Sequence, residues 1–127
     1  MRDSDAANLR YVASSGFGVS PFIGKTGMLA AVDPDTGELK WHYQFTPNDG
    51  YDYDAVQIAV LADIEWRGAP LKAMLWANRN GNFYVLDRVT GKFLQGTPFV
   101  KVNWMSGFDA KGRPIQTPQG PGMPTYP

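Results

Sequence analysis

The chain has 127 residues and a mass of 14.0 kDa, a length typical of one domain. Its 12 Lys and Arg residues balance 12 Asp and Glu residues, so no basic field is available and we expect no nucleic-acid partner. The chain lacks cysteine, which excludes disulfides and thiolate sites, and its single histidine, His42, argues against multi-histidine metal sites and a Ser-His-Asp triad.

No apolar stretch approaches the ~20 residues that cross a bilayer, so we expect no membrane span. Residues Met1–Asp5 lead into no apolar run, and we expect no signal peptide in this chain. The chemistry left open is an oxygen-ligand metal, a carboxylate mechanism, an organic cofactor or no catalysis.

The composition predicts an all-β chain. It has 14 Gly, 10 Pro and 13% aromatic residues, with little helical periodicity, which is typical of short strands joined by tight turns. In chain order, the predicted strands are Tyr11–Ala13, Met28–Val32, Leu39–Phe45, Gln57–Asp63, Leu71–Asn78, Asn82–Asp87 and a weaker one near Phe93.

Two connections and a tail are predicted from turn residues. Asn80 and Gly81 can adopt the positive φ angles of a type I′ turn, so the runs on either side should form a hairpin. Gly68 and Pro70 mark the preceding connection of the same meander. We expect a single domain over residues 1–127. Its residues 110–127 are rich in Pro and Gly, and we expect them to form an extended tail that cannot fold alone.

An internal repeat indicates the architecture. Val32–Glu38 returns as Leu86–Lys92, an apolar-Asp-x-x-Thr-Gly-charged pattern displaced by 54 positions. Repeats of ~40–50 residues with about four strands each are typical of β-propeller blades. Two unrelated hairpin turns are the alternative. Trp41 follows the first copy and can pack between blades, whereas Gln95 stands at the equivalent position of the second.

Four segments resemble the quinoprotein alcohol dehydrogenases, eight-bladed propellers that carry pyrroloquinoline quinone (PQQ). Ala31–Trp41 is similar to the family's tryptophan-docking motif, Thr46–Asp54 to its active-site loop and Asn78–Lys92 to the blade that follows, and Val102–Asp109 continues the likeness. The resemblance covers roughly residues 9–127 of a family whose chains are several times longer. It implies a fragment with two to three incomplete antiparallel blades of the propeller.

The resemblance assigns two aspartates to the chemistry. Asp52 matches the catalytic base and a metal ligand, although the family usually has Trp where Tyr51 stands. Asp54 resembles the extra aspartate of lanthanide-dependent members, and a trivalent hard cation favours one more anionic oxygen than calcium does. The choice between calcium and a lanthanide stays open. The alternative for Asp49, Asp52 and Asp54 is a solvated acidic loop without a metal.

Arg79 matches the cationic residue that the family directs to the carbonyl oxygens of the quinone. A planar guanidinium suits two adjacent oxygens because several donors lie on one fork. The alternative is a turn charge in solvent. One residue departs from the family pattern, because Phe17 follows Gly16 where the family has an asparagine that binds the metal. Three alternatives remain: Ser14, Ser15 or a backbone oxygen replaces that ligand, the metal is bound differently, or the metal site is lost.

The function implied by the resemblance is oxidation of a primary alcohol or aldehyde, with hydride transfer to metal-bound PQQ and electrons passed to a cytochrome in the periplasm. A non-catalytic propeller scaffold or interaction module is the alternative. Because the family's site draws ligands from several blades, we expect the isolated chain to be inactive. Its open blade edges lead us to expect a homo-oligomer.

Overall fold

The computed structural model describes residues 10–14, 28–47, 53, 55 and 57–118. Its described part contains nine strands and no helix. The strands are β1 (Arg10–Ser14), β2 (Met28–Val32), β3 (Leu39–Gln44), β4 (Val60–Trp66), β5 (Ala69–Ala77), β6 (Asn82–Asp87), β7 (Phe93–Pro98), β8 (Met105–Phe108) and β9 (Pro114–Gln116).

The strands form three antiparallel sheets. The first has the order β1-β2-β3, the second β4-β5-β6-β7 and the third β8-β9. The second sheet therefore has the four strands of a complete blade, and an incomplete blade lies on each side of it in the chain. This confirms the predicted all-β, partial-propeller fold. In the residues that the structure describes, no helix is long and apolar enough to cross a membrane.

All seven predicted strands are present, with ends that differ by a few residues. β8 was not predicted. β9 lies inside the predicted tail at 110–127, where Pro114 is buried and pairs with Phe108. Residues 119–127 lie outside the described part of the chain.

The two repeat turns are the same structure. In the first, Asp33 Oδ1 accepts from the N–H groups of Asp35 (2.9 Å) and Thr36 (3.1 Å), and Gly37 has φ +73°. In the second, Asp87 Oδ1 accepts from the equivalent N–H groups at 2.8 and 3.2 Å, and Gly91 has φ +75°. Each copy also has a register shift just before its turn. The repeat is therefore a structural unit of the blades rather than two unrelated turns.

The turn predicted at Asn80 and Gly81 forms the expected hairpin but in another conformation. Only Gly81 has positive φ (+93°), the Gly81 N–H donates to the Asn78 carbonyl (3.0 Å) and the Asn78 N–H donates to the Asn82 carbonyl (3.0 Å). This is a three-residue loop with glycine in the left-handed position, so the type I′ prediction is wrong here.

The positive φ angles of a type I′ turn occur instead between β4 and β5. Trp66 pairs with Ala69 across a two-residue loop in which Arg67 has φ +50° and Gly68 has φ +84°. Gly68 therefore acts as predicted, whereas Pro70 lies within β5.

The main core lies between the first and second sheets. Its buried side chains are Leu29, Ala31, Trp41, Tyr43, Phe45, Met74, Trp76, Tyr84 and Leu86. Phe45 is central, because its ring meets Tyr43, Trp76 and Tyr84 edge-on at centroid distances of 4.7–4.8 Å. Apolar residues at alternate positions of β2 and β3 supply the first sheet's share of this core.

Trp41 joins the first sheet to the repeat turn of the second. Its indole Nε1 donates to the Arg88 carbonyl (3.1 Å), and a Cβ added at Gly91 would lie 2.6 Å from the indole ring. The predicted packing of this tryptophan between blades is confirmed. Gln95, at the equivalent position of the second copy, is exposed and donates to Thr97 Oγ1 (2.9 Å).

The third sheet packs on the second through aromatic side chains. Phe108 meets Phe93 at 4.9 Å and Tyr84 at 5.8 Å between ring centroids. Tyr43 of the first sheet donates its hydroxyl hydrogen to the carbonyl of Gly112 in the β8–β9 turn. All three sheets therefore meet around these rings.

Candidate functional site

The β5–β6 turn presents three asparagines at alternate positions, and all three are buried. They are Asn78, Asn80 and Asn82, with exposed fractions of 2%, 2% and 0%. A buried amide is costly unless its hydrogen-bonding groups find partners. Their side chains bond to one another and to neighbouring segments, whereas Asn82 Oδ1 has no hydrogen-bond partner in the described part of the chain.

Asn80 is the most heavily engaged of them. Its Nδ2 lies within hydrogen-bond distance of the Tyr84 hydroxyl (2.7 Å), Thr46 Oγ1 (3.1 Å) and the Phe45 carbonyl (3.3 Å). Two amide hydrogens serve these three acceptors, so one of the bonds is shared. The amide thus joins the turn of the second sheet to the segment that follows β3.

The rest of Asn80 is also bonded. Its Oδ1 accepts from the Asn82 N–H (3.2 Å), its own N–H donates to Asn78 Oδ1 (3.0 Å), and its carbonyl accepts from Trp104 Nε1 (2.8 Å). We call the set formed by Phe45, Thr46, Asn80, Tyr84 and Trp104 the Asn80 junction. It connects the ends of the first two sheets to the residue just before β8.

Two further contacts involve described residues of the predicted active-site loop, Thr46–Asp54. Gln116 Nε2, on β9, donates to the Pro47 carbonyl (2.6 Å). Tyr53 is half-buried and lies with its ring centroid 6.2 Å from that of Trp104. Phe45, Thr46 and Pro47 are all buried. The described residues on both sides of segment 48–52 therefore contact the Asn80 junction or β9.

The predicted site residues differ in what the structure describes. Arg79 lies in the β5–β6 turn, directly beside Asn80, and its side chain is exposed. Asp52 and Asp54 lie outside the described residues, as do Tyr51 and Phe17. Within the described ranges no group of three or more His, Cys, Asp or Glu side chains could hold a metal ion.

Burial keeps the two inner tyrosines protonated. It raises the pKa values of Tyr43 and Tyr84 far above that of free tyrosine, because an anionic phenolate would lose its hydration there. The Asn80 bond acts in the opposite direction on Tyr84 but is the smaller effect. Both hydroxyls therefore stay neutral hydrogen-bonding groups at physiological pH.

Sequence reasoning missed the role of Asn80, which it treated only as a turn former. A signal was present: Asn78, Asn80 and Asn82 are spaced by two, a spacing that brings side chains to one side of an extended chain. Nothing in the sequence pointed to Gln116, whose partner Pro47 lies 69 residues away.

Comparison with known proteins agrees with the fold and the motifs. Residues 26–110 match the family model described as PQQ, the β-propeller domain of glucose, ethanol and alcohol dehydrogenases. A 1-butanol dehydrogenase (cytochrome c) of Thauera butanivorans is 52% identical over 95 residues, which are 75% of this chain and 14% of that protein.

Two solved structures share the fold. The quinohemoprotein alcohol dehydrogenase of Comamonas testosteroni superposes with a TM-score of 0.76 at 43% identity, covering 91% of this chain and 18% of that one. A europium-containing methanol dehydrogenase superposes with a TM-score of 0.68 at 39% identity, covering 72% of this chain and 16% of that one.

The chain thus spans only a small part, between 12% and 16%, of the length of the curated relatives that it matches. The match nevertheless includes both repeat turns, the Trp41 contact and the Asn80 hairpin. The chain belongs to the family of PQQ-dependent dehydrogenase β-propellers.

Proposed function

We propose that this segment forms one side of the catalytic site of a PQQ-dependent alcohol dehydrogenase. The observation that carries the proposal is the Asn80 junction. Through it, the turn that bears Arg79 is hydrogen-bonded to Phe45 and to Thr46, the first residue of the loop that contains Asp52. A base and a cofactor-binding cation on distant parts of the sequence would thereby belong to one site.

The residue types fit the groups that the site would bind. Asp52 and Asp54 offer only carboxylate oxygens, the ligands that calcium and lanthanide ions prefer. Arg79 is exposed at a turn, so its guanidinium is free of the desolvation cost of burial and can approach the paired oxygens of an ortho-quinone. When bound, the quinone would supply the acceptor for the two electrons of the alcohol.

Each residue then has a distinct task. Asp52 accepts the proton of the substrate hydroxyl at a carboxylate oxygen, which requires that it be ionised. Asp54 adds a second anionic ligand, and this favours a trivalent over a divalent cation. Arg79 would hold the quinone by donating hydrogen bonds from its guanidinium to the carbonyl oxygens, and its positive charge would favour the reduced form.

The substrate proposed is a primary alcohol or aldehyde and the acceptor a cytochrome, in the periplasm. Support comes from the relatives, which are named as alcohol dehydrogenases, one of them cytochrome c-linked. The competing function is a propeller module that keeps the docking turns for packing alone. A packing module has no need of Asp52, Asp54 or Arg79, and this favours the enzyme.

The test uses a complete propeller that contains this segment, supplied with PQQ and either Ca²⁺ or La³⁺. Asp52→Asn should abolish dye-linked alcohol oxidation with both metals. Asp54→Ala should lower lanthanide affinity far more than calcium affinity. Equal losses for both metals would make Asp54 a solvated loop residue, and undiminished turnover of Asp52→Asn would contradict the proposed base.

The isolated 127-residue chain should show little or no turnover with the same additions. A metal and quinone site needs preorganised ligands from several blades, and this chain provides one side of it. Robust alcohol oxidation by the purified chain would contradict that expectation.

A further inference from the structure

We infer that Asn80 is a positioning residue of the site. It holds the Arg79 turn and the Phe45–Pro47 segment in one fixed arrangement, with Gln116 bracing that segment from the third sheet. The inference rests on the proposed function for its meaning, but the contacts that carry it are independent of that proposal.

The bonding of Asn80 exceeds what a turn requires. A turn former needs only a permitted backbone conformation, and an exposed side chain would serve. Asn80 is instead 2% exposed and contacts both the carbonyl of Phe45 and the hydroxyl of Thr46, 34 to 35 residues earlier. A side chain buried with this many long-range partners fixes the relative position of two segments.

The arrangement is rigid on the Arg79 side. The Asn80 N–H, carbonyl and Oδ1 are all bonded, to Asn78, Trp104 and Asn82 respectively. Arg79 is the residue directly before Asn80, so its backbone follows any movement of the junction. Loss of the Asn80 side-chain amide would therefore let the Arg79 turn and the Phe45–Pro47 segment move relative to each other.

The second support reaches the same segment from the other direction. Gln116 Nε2 donates to the carbonyl of Pro47, the residue directly after Thr46. Gln116 is itself exposed, so its removal carries little packing cost, and its effect on the segment reports the bond alone. Two amide side chains on different sheets thus hold three successive residues.

The first experiment is amide hydrogen exchange of the 127-residue chain, read by mass spectrometry. Asn80→Ala should raise exchange about tenfold in peptides covering 45–54 and 78–82, and leave that of β4 unchanged within about twofold. Gln116→Ala should raise exchange in 45–54 alone. Two results would overturn the inference. One is that exchange in 45–54 is unchanged in both variants. The other is that Asn80→Ala raises exchange uniformly over all sheets while Gln116→Ala raises it nowhere.

Asn82→Ala is the matched control. It removes an equally buried amide two residues away, whose Nδ2 donates to Asn80 Oδ1 (3.4 Å) and Met105 Sδ (3.3 Å) and not to Phe45 or Thr46. Asn82→Ala leaves the bonds from Asn80 Nδ2 in place, so its exchange in 45–54 should stay within about twofold of the parent chain. An effect as large as that of Asn80→Ala would mean that the bonds from Asn80 Nδ2 do not set the position of the segment, which overturns the positioning role.

Thr46→Val tests the contact itself, because it removes the hydroxyl acceptor and keeps the branched shape. If Asn80 acts through Thr46, the combined Asn80→Ala and Thr46→Val variant should exchange no faster in 45–54 than Asn80→Ala alone. Independent, multiplying effects would contradict that route.

Tb³⁺ luminescence of a complete propeller that contains this segment, sensitised by its Tyr and Trp residues, separates this inference from the proposed function. Asp54-dependent Tb³⁺ binding weakened severalfold by Asn80→Ala supports both. Absence of Tb³⁺ binding by the complete propeller counts against the metal site, while the exchange result still decides the role of Asn80. Asp54-dependent binding that is unaltered in Asn80→Ala keeps the metal site and overturns the positioning role.

Discussion

Trp41 of the first sheet lies directly against Gly91 of the second, with its indole N–H bonded to the carbonyl of Arg88. The contact uses both features of the repeat: the tryptophan that follows one copy and the glycine that ends the turn of the next. One blade therefore docks on the turn of its neighbour, and the glycine is needed there for space as well as for its φ angle.

This contact predicts unequal costs for two otherwise equivalent substitutions. Gly37→Ala and Gly91→Ala both force alanine into the left-handed region, at a cost of about 1 kcal/mol. At Gly37 the added Cβ meets nothing within 4 Å, whereas at Gly91 it meets the Trp41 ring at 2.6 Å. We expect Gly91→Ala to lose about 1–3 kcal/mol more in chemical denaturation.

Adding Trp41→Ala to both glycine variants provides the control. Without the indole the clash disappears, so the two glycine substitutions should then cost the same. A Gly91→Ala variant as stable as Gly37→Ala in the parent background would contradict the docking contact.

Acid sensitivity should depend on the turn aspartates. Hydrogen bonds from the N–H groups of Arg113 and Lys111 lower the pKa of Asp109, and those of Thr36 and Asp35 lower the pKa of Asp33. With a folded pKa below the unfolded value of 3.8, each ionised carboxyl stabilises the fold at neutral pH. That stabilisation is lost as the pH falls through about 4 to the folded pKa.

Asp109→Asn keeps an acceptor oxygen but removes the titration, so its unfolding free energy should change less between pH 5 and pH 2, a range of about three units. Denaturation at a series of pH values measures this. Asp35→Asn removes the same charge from a residue that takes part in its turn through its backbone N–H. If Asp35→Asn flattened the acid profile as much as Asp109→Asn, net charge rather than the turn bond would be the cause.

Alkaline pH should act through the buried tyrosines Tyr43 and Tyr84, and Tyr43 provides the test. Burial raises the pKa of Tyr43 well above the value of 10.0 for free tyrosine, so just above that pH this residue ionises only in the unfolded chain. The contribution of the neutral tyrosine to the free energy of unfolding is fully present below about pH 10 and is lost as the pH rises further. Tyr43→Phe should reduce this alkaline loss, and should also lower stability at neutral pH by about 1–3 kcal/mol because the Gly112 carbonyl loses its donor.

Denaturation between pH 8 and pH 11 of the parent chain and Tyr43→Phe checks both parts, over about three pH units around the tyrosine titration. An identical alkaline decline in the two proteins would show that other groups control it.

The β4 edge of the second sheet should make the isolated chain associate. β4 pairs with β5 on one side, and the exposed residues at or near it include Ile58 (90% exposed), Val60 and Leu61. An apolar strand edge is a template for pairing with another chain. We expect a homo-oligomer at micromolar concentration, measured by sedimentation velocity, and we expect Leu61→Lys to shift it towards monomer. A compact monomer of the parent chain would contradict this prediction.

The sequence by itself determined the local structures whose bonds close within a few residues. Asp33 and Thr36, like Asp87 and Thr90, cap their own turns, so the repeat could be identified and its conformation predicted without any distant partner. Strand positions followed for the same reason, because alternation and turn residues are properties of short segments. The family motifs are also contiguous, and they indicated the propeller.

Only the tertiary structure decided the turn at Asn80 and the contacts around it. Asn-Gly alone permits a type I′ turn, but here the amide is bonded to Thr46 and Tyr84 and the loop closes over three residues. The crowding of Gly91 by Trp41 and the reach of Gln116 to Pro47 likewise depend on how the sheets stack. Residues 34 or more positions apart, such as Asn80 and Thr46 or Gln116 and Pro47, meet only after the sheets pack, and a sequence pattern carries no information on the distance between them.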